Sequence, residues 1–139
     1  MMMQTTLSGD VQRKLQWSLL ALRLGVFLVM LVWTLDKFVN PGHSMKIFEK
    51  FYGISGMNEV AAYIMGALQL TLVFAFVLGF KKHITYGIIF LMHGASTLSA
   101  FNQYFDAFNN LLFFAAWPMW AACFALYMLR DEDTKFTVQ

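Results

Sequence analysis

The chain holds a single cysteine, Cys123, which excludes an intramolecular disulfide and a CxxC redox or zinc site. Charge is almost as scarce. Only 13% of the 139 residues are charged, against about a quarter in an ordinary soluble domain. Ten Lys and Arg against eight Asp and Glu leave a formal net charge of +2, without the basic face that a nucleic-acid binder needs. At 59% hydrophobic the chain is also too apolar for a disordered protein. No Ser–His–carboxylate set, phosphate loop or pair of catalytic carboxylates is present, which argues against a self-contained hydrolase or nucleotide enzyme. There is no linker or low-complexity segment, and the length allows one domain.

What is abundant is long apolar sequence. A membrane-spanning helix needs roughly 20 mostly apolar residues. Four stretches meet that length: 17–38, 60–80, 84–104 and 110–129. A soluble bundle would keep a charged face on each helix, and the stretches 72–80 and 111–128 have none. The expected fold is therefore all-α, a four-helix transmembrane bundle. Arg13 and Lys14 before the first apolar run resemble a secretory signal, but the run is too long and no small-x-small cleavage pattern follows. It is expected to stay as the first span.

Basic residues in the flanks orient the spans. Arg13, Lys14, Lys81, Lys82, Arg130 and Lys135 fall on one side; Lys37, Lys46 and Lys50 fall on the other. That places both termini, residues 1–16 and 130–139, in the cytoplasm around a membrane domain of 17–129. The polar tail 130–139 is expected to fray. The first outer loop opens with Asn40-Pro41-Gly42, a turn signal. It continues with Met45, Ile47, Phe48 and Phe51 among Lys46, Glu49 and Lys50, the pattern of a short interfacial helix ended by Gly53, Gly56 and Asn58. Phe27-Leu28-x5-Thr34-Leu35-x2-Phe38 lines up with Phe90-Leu91-x5-Thr97-Leu98-x2-Phe101. Two parallel helical hairpins and chance similarity both account for this.

Polar groups inside spans are costly and mark candidate sites. Arg23 lies about 9 Å past Trp17 along the first span. It shares a stripe with Thr34 and Lys37, and either holds an anionic or carbonyl-bearing ligand or snorkels to the cytoplasmic phosphates. Gln69 sits mid-span, as a helix–helix hydrogen bond or a ligand contact. His93 is about 16 Å into the third span and heads a polar face with Ser96, Thr97 and Gln103. It suits a quinone carbonyl, a proton relay or an inter-helix network. Lys37 and Glu59 are placed for a cross-helix ion pair. Pro118 is expected to kink the fourth span. Only one histidine lies deep, so the paired axial ligands of a membrane haem are missing. The ten methionines are scattered, which suits packing better than copper ligation. No metal site is expected.

These residues resemble a known family. Arg23 followed by LGVFL (24–28), then Asp36-Lys37-Phe38 and Asn40-Pro41, is similar to the first-span signature of DoxX-type membrane proteins. The segment from Gly66 to Gln69, and on through Leu78-Gly79, is similar to that family's second span. The likeness extends over 19–129. Two positions depart from the pattern: Thr34 stands where the family often has glycine, and Gln69 where it often has glutamate. Without that carboxylate, proton transfer through this position loses its basis, and Arg23 lacks the acidic partner the family pattern suggests. The resemblance implies a small four-helix protein of the bacterial cytoplasmic membrane. Some relatives are subunits of thiosulfate:quinone oxidoreductases, and others associate with redox-defence proteins.

The resulting expectation is a non-catalytic or co-catalytic subunit of a quinone-linked redox complex. Its quinone or lipid pocket would draw on Arg23, Thr34, Lys37, Gln69, His93 and Thr97. Its partners would be the bilayer, redox-complex subunits and further copies of the chain. One alternative is an assembly protein that docks a partner through Met45, Phe48 and Phe51. Another is a small dimeric transporter.

Overall fold

The computed structural model describes residues 8–138. Helix α1, Gly9–Val39, starts where the Ser8 hydroxyl accepts the Val11 N–H at 3.2 Å. It stops where Pro41, which has no N–H to give, opens α2, Pro41–Tyr52. Gly53, at φ 68°, closes α2, and the Ile54 N–H bonds back to the Phe48 carbonyl at 3.0 Å. The expected loop helix is therefore present. Helix α3, Glu59–Val77, begins with the Asn58 side chain accepting from Ala61 N–H at 2.9 Å. Gly79, at φ 69°, lets the chain turn, and helix α4, Lys82–Ser99, follows. A short α5, Phe101–Phe105, and two 3-10 segments, Ala107–Asn109 and Leu111–Ala115, lead into α6, Ala116–Met128. A last 3-10 turn, Arg130–Glu132, begins the tail. Among the described residues there are six α-helices and no strand.

The stretches Gly9–Val39, Glu59–Val77 and Leu111–Met128 are long and apolar enough to cross a membrane. The expected third span, 84–104, is represented by α4, which has 18 residues but is more polar than these three because of His83, His93, Ser96, Thr97 and Ser99. The fourth stretch changes from 3-10 to α-helix just before Pro118. The proline sits in the first turn of α6, where a missing N–H costs little, and the irregular backbone lies before it as 3-10 helix.

Helix α1 packs chiefly on α3, and α4 chiefly on α6. Leu19, Val26 and Met30 meet Val73 and Phe76, then Tyr86, Ile89, Cys123 and Leu126, in one core. The outward faces are just as apolar, with Leu28, Leu68, Leu91 and Phe124 all more than half exposed. The two repeat segments have matched surroundings. Thr34 and Thr97 are both buried and both bond the carbonyl four residues back, at 2.6 and 2.7 Å. Leu28 and Leu91 both face outward.

Residues 130–138 of the tail are docked rather than frayed; Gln139 lies outside the described residues. The Val138 N–H bonds the Leu78 carbonyl at 2.9 Å, and Thr137 packs so tightly on Gly79 that a Cβ there would fall 2.7 Å from Thr137 Cγ2. Thr137 and Val138 thus hold the chain end against the α3–α4 turn.

Candidate functional site

Two polar regions occur inside the bundle. The first is closed. Arg23 on α1 is 1% exposed, and its Nη1 donates to Asp133 Oδ1 at 2.5 Å. Its Nη2 donates to the Lys135 carbonyl, also at 2.5 Å. The other oxygen of Asp133 accepts from the Tyr86 hydroxyl at 2.6 Å, and its backbone carbonyl accepts from Lys82 Nζ at 2.5 Å. Asp133 is fully buried. Lys135 places its ammonium 4.5 Å from the centre of the Trp17 ring. Arg23 therefore neither snorkels nor faces an open pocket. The anion and the carbonyls that it binds come from its own chain, more than 100 residues away.

The second region is open. A cavity of about 1110 Å³ lies between α1, α2, α3, α4 and the start of α6. Of the six expected ligand residues, Lys37, Gln69 and His93 line it; Arg23, Thr34 and Thr97 do not. Thr34 and Thr97 spend their hydroxyls on their own helices, as described above. Of the expected docking residues, Phe48 and Phe51 line this cavity rather than a free outer face, and Met45 is half-buried. Phe51 reaches Phe113 across it, with ring centres 6.1 Å apart.

His93 is 1% exposed and stacks on Trp33, their ring centres 5.8 Å apart. Its Nε2 lies 3.2 Å from the Ala116 carbonyl. A carbonyl can only accept, so Nε2 carries the proton, and the neutral ring leaves Nδ1 as a bare acceptor. Nδ1 is buried without a partner. Gln69, half-buried on α3, makes no hydrogen bond among the described residues. At the α1–α2 junction, Asp36 Oδ2 lies 2.6 Å from His43 Nδ1, and both residues line the cavity. The Lys37–Glu59 ion pair does not form; the carboxylate that is paired here is that of Asp36, with His43. Ser44, Ser96, Ser99 and Tyr104 also line it, and most of the remaining wall is apolar: Val29, Met65, Met92 and Met119 among others.

Asp133, Tyr86, Trp33 and His43 were not among the residues marked by sequence. Among the described residues no group of His, Cys, Asp and Glu is placed to hold a metal. No family model, curated protein or solved structure matches the chain.

Proposed function

We propose that this chain is a DoxX-like integral membrane protein in which α4 is a fourth span beside the three long apolar helices. Helix α4 has 18 residues, about 27 Å of helix. It buries Tyr86, His93 and Thr97 against its neighbours and turns Ile84, Leu91 and Leu98 outward. Such a helix can cross hydrocarbon despite its polarity, because the bundle covers its polar groups. The six basic residues flanking one end put both termini in the cytoplasm, and α2 then lies at the outer interface.

The function is that of a non-catalytic or co-catalytic subunit of a quinone-linked redox complex, with the cavity as its quinone site. One observation carries this proposal. The cavity is about as large as ligand pockets become, its wall is mostly apolar, and a few convergent polar groups project into it. His93 and Gln69 both retain hydrogen-bonding capacity that the chain does not use. Phe48 and Phe51 belong to the same wall, which favours a ligand over partner docking through α2.

The test is quinone binding by the purified protein, wild type against His93→Ala and Gln69→Leu. Gln69→Leu is expected to weaken binding through the lost amide donor, and His93→Ala through the ring surface that it removes from the wall, since Nδ1 and a quinone carbonyl are both acceptors. Equal binding in all three, or none in the wild type, removes the site.

A further inference from the structure

The Asp36–His43 pair also belongs to the cavity, and it has a reactive side that the chain leaves open. The two residues come from different helices, on either side of the break at Asn40 and Pro41. Their contact at 2.6 Å joins a ring nitrogen to a carboxylate. An ionised carboxylate only accepts, so Nδ1 carries the proton, and in the neutral form of the ring Nε2 is the unprotonated acceptor. Nε2 makes no hydrogen bond among the described residues, and the His43 side chain is 53% exposed. His93 offers an acceptor of the same kind, but its Nδ1 is covered by packing. Of the two acceptors, His43 is the one that a ligand can reach. Lys37, next to Asp36 in sequence, adds an ammonium donor to the same wall, and Trp33, Phe48 and Tyr52 add aromatic surface.

We propose that His43, positioned by Asp36, is the head-group acceptor of this cavity, and that it favours a hydroxyl-bearing aromatic, the quinol, over the corresponding quinone. The assignment rests on the cavity being a quinone site. A quinol hydroxyl donates its O–H to Nε2, and the same oxygen can accept from the Lys37 ammonium. A quinone carbonyl has no proton to give, so it gains nothing from His43 and relies on donors such as Lys37. No electron moves and no bond breaks; the discrimination is one hydrogen bond. Asp36 acts through His43 as a positioning residue, because its carboxylate fixes which nitrogen is bare and where the ring points. One ordinary hydrogen bond is worth about 5- to 10-fold in affinity.

The experiment is anaerobic equilibrium binding to the purified full-length protein in detergent. The probes are a short-chain benzoquinone and the same compound reduced to its quinol. The wild type is expected to bind the quinol about 5- to 10-fold more tightly. His43→Leu is expected to abolish that preference without changing quinone affinity. Asp36→Asn keeps an acceptor for Nδ1 but loses the charge. It is expected to weaken quinol binding alone, a split that mere loosening of the helix junction would not produce. Quinone bound as tightly as quinol by the wild type, or a preference that survives His43→Leu, overturns the assignment and leaves the cavity as a quinone site. Failure of both forms to bind, in protein that elutes as one folded species, overturns both proposals.

Discussion

Asp133→Ala is the substitution whose effect the structure states most sharply. The side chain is fully buried and takes one hydrogen bond from Arg23 and one from Tyr86. Its removal leaves the Arg23 guanidinium 1% exposed without a counter-charge. Breaking a buried pair from one side costs about 3–5 kcal/mol. For a chain of this size that corresponds to a fall in melting temperature of roughly 10–20 °C. Thermal unfolding in detergent, followed by tryptophan fluorescence, measures it. A second reading is local. Lys135, now held against Trp17, should become a faster site for trypsin as the tail leaves the bundle. The double variant Arg23→Met with Asp133→Leu removes both charges and fills the space with apolar groups. It should be less damaging than the sum of its single substitutions, because two buried charges replaced together carry no unpaired remainder. A melting temperature for Asp133→Ala within about 2 °C of wild type, roughly 0.5 kcal/mol, refutes a docked tail. Strict additivity of the double variant does the same.

Gly94→Ala should be costly, because its Cβ would lie 2.7 Å from Trp120 Nε1, which now donates to the Phe90 carbonyl. About 1–3 kcal/mol of destabilisation is expected in the same thermal assay. Cys123, 1% exposed, should resist a soluble maleimide in the native protein and react fully once the protein is unfolded in detergent. Single cysteines introduced at Ser8, Ser55 and Thr134 of a Cys123→Ala protein should separate four spans from three. With four, membrane-impermeant reagent labels positions 8 and 134 from one side and 55 from the other.

The apolar runs and the Asn40–Pro41 break were enough to locate five of the six helices, since hydrocarbon length and lost N–H donors are local properties. Helix α5 is too short to leave such a mark. The partner of Arg23 was hidden for a different reason. Asp133 lies in a polar tail beyond the last span, and nothing in its neighbours marks it as buried. Its burial depends on Arg23, Lys82 and Tyr86 converging from two other helices. The Asp36–His43 hydrogen bond at the end of α1 was hidden by geometry. Helical spacing relates residues on one helix, and Asp36 reaches His43 across a chain break where that periodicity no longer applies. Pro118 carried a true signal at an unexpected place, the start of a helix rather than its middle. His93 and Gln69 were legible as polar groups inside apolar spans, and both line the cavity.

The two polar regions differ in what they leave unused, and that difference separates architecture from ligand binding. Around Arg23 the carboxylate of Asp133 supplies a counter-charge, and both terminal nitrogens of the guanidinium have acceptors; only Nε is left over. An added ligand there would have to displace Asp133, at the full cost of unpairing it. Around His93 the balance is reversed. The chain supplies an acceptor for Nε2 and nothing for Nδ1, supplies no partner for Gln69, and leaves Nε2 of His43 open at the wall. A polar group away from water, as Gln69 is on α3, is costly until something fills the space and bonds it. The closed end therefore holds the helices together, and the open one is where a ligand gains binding energy.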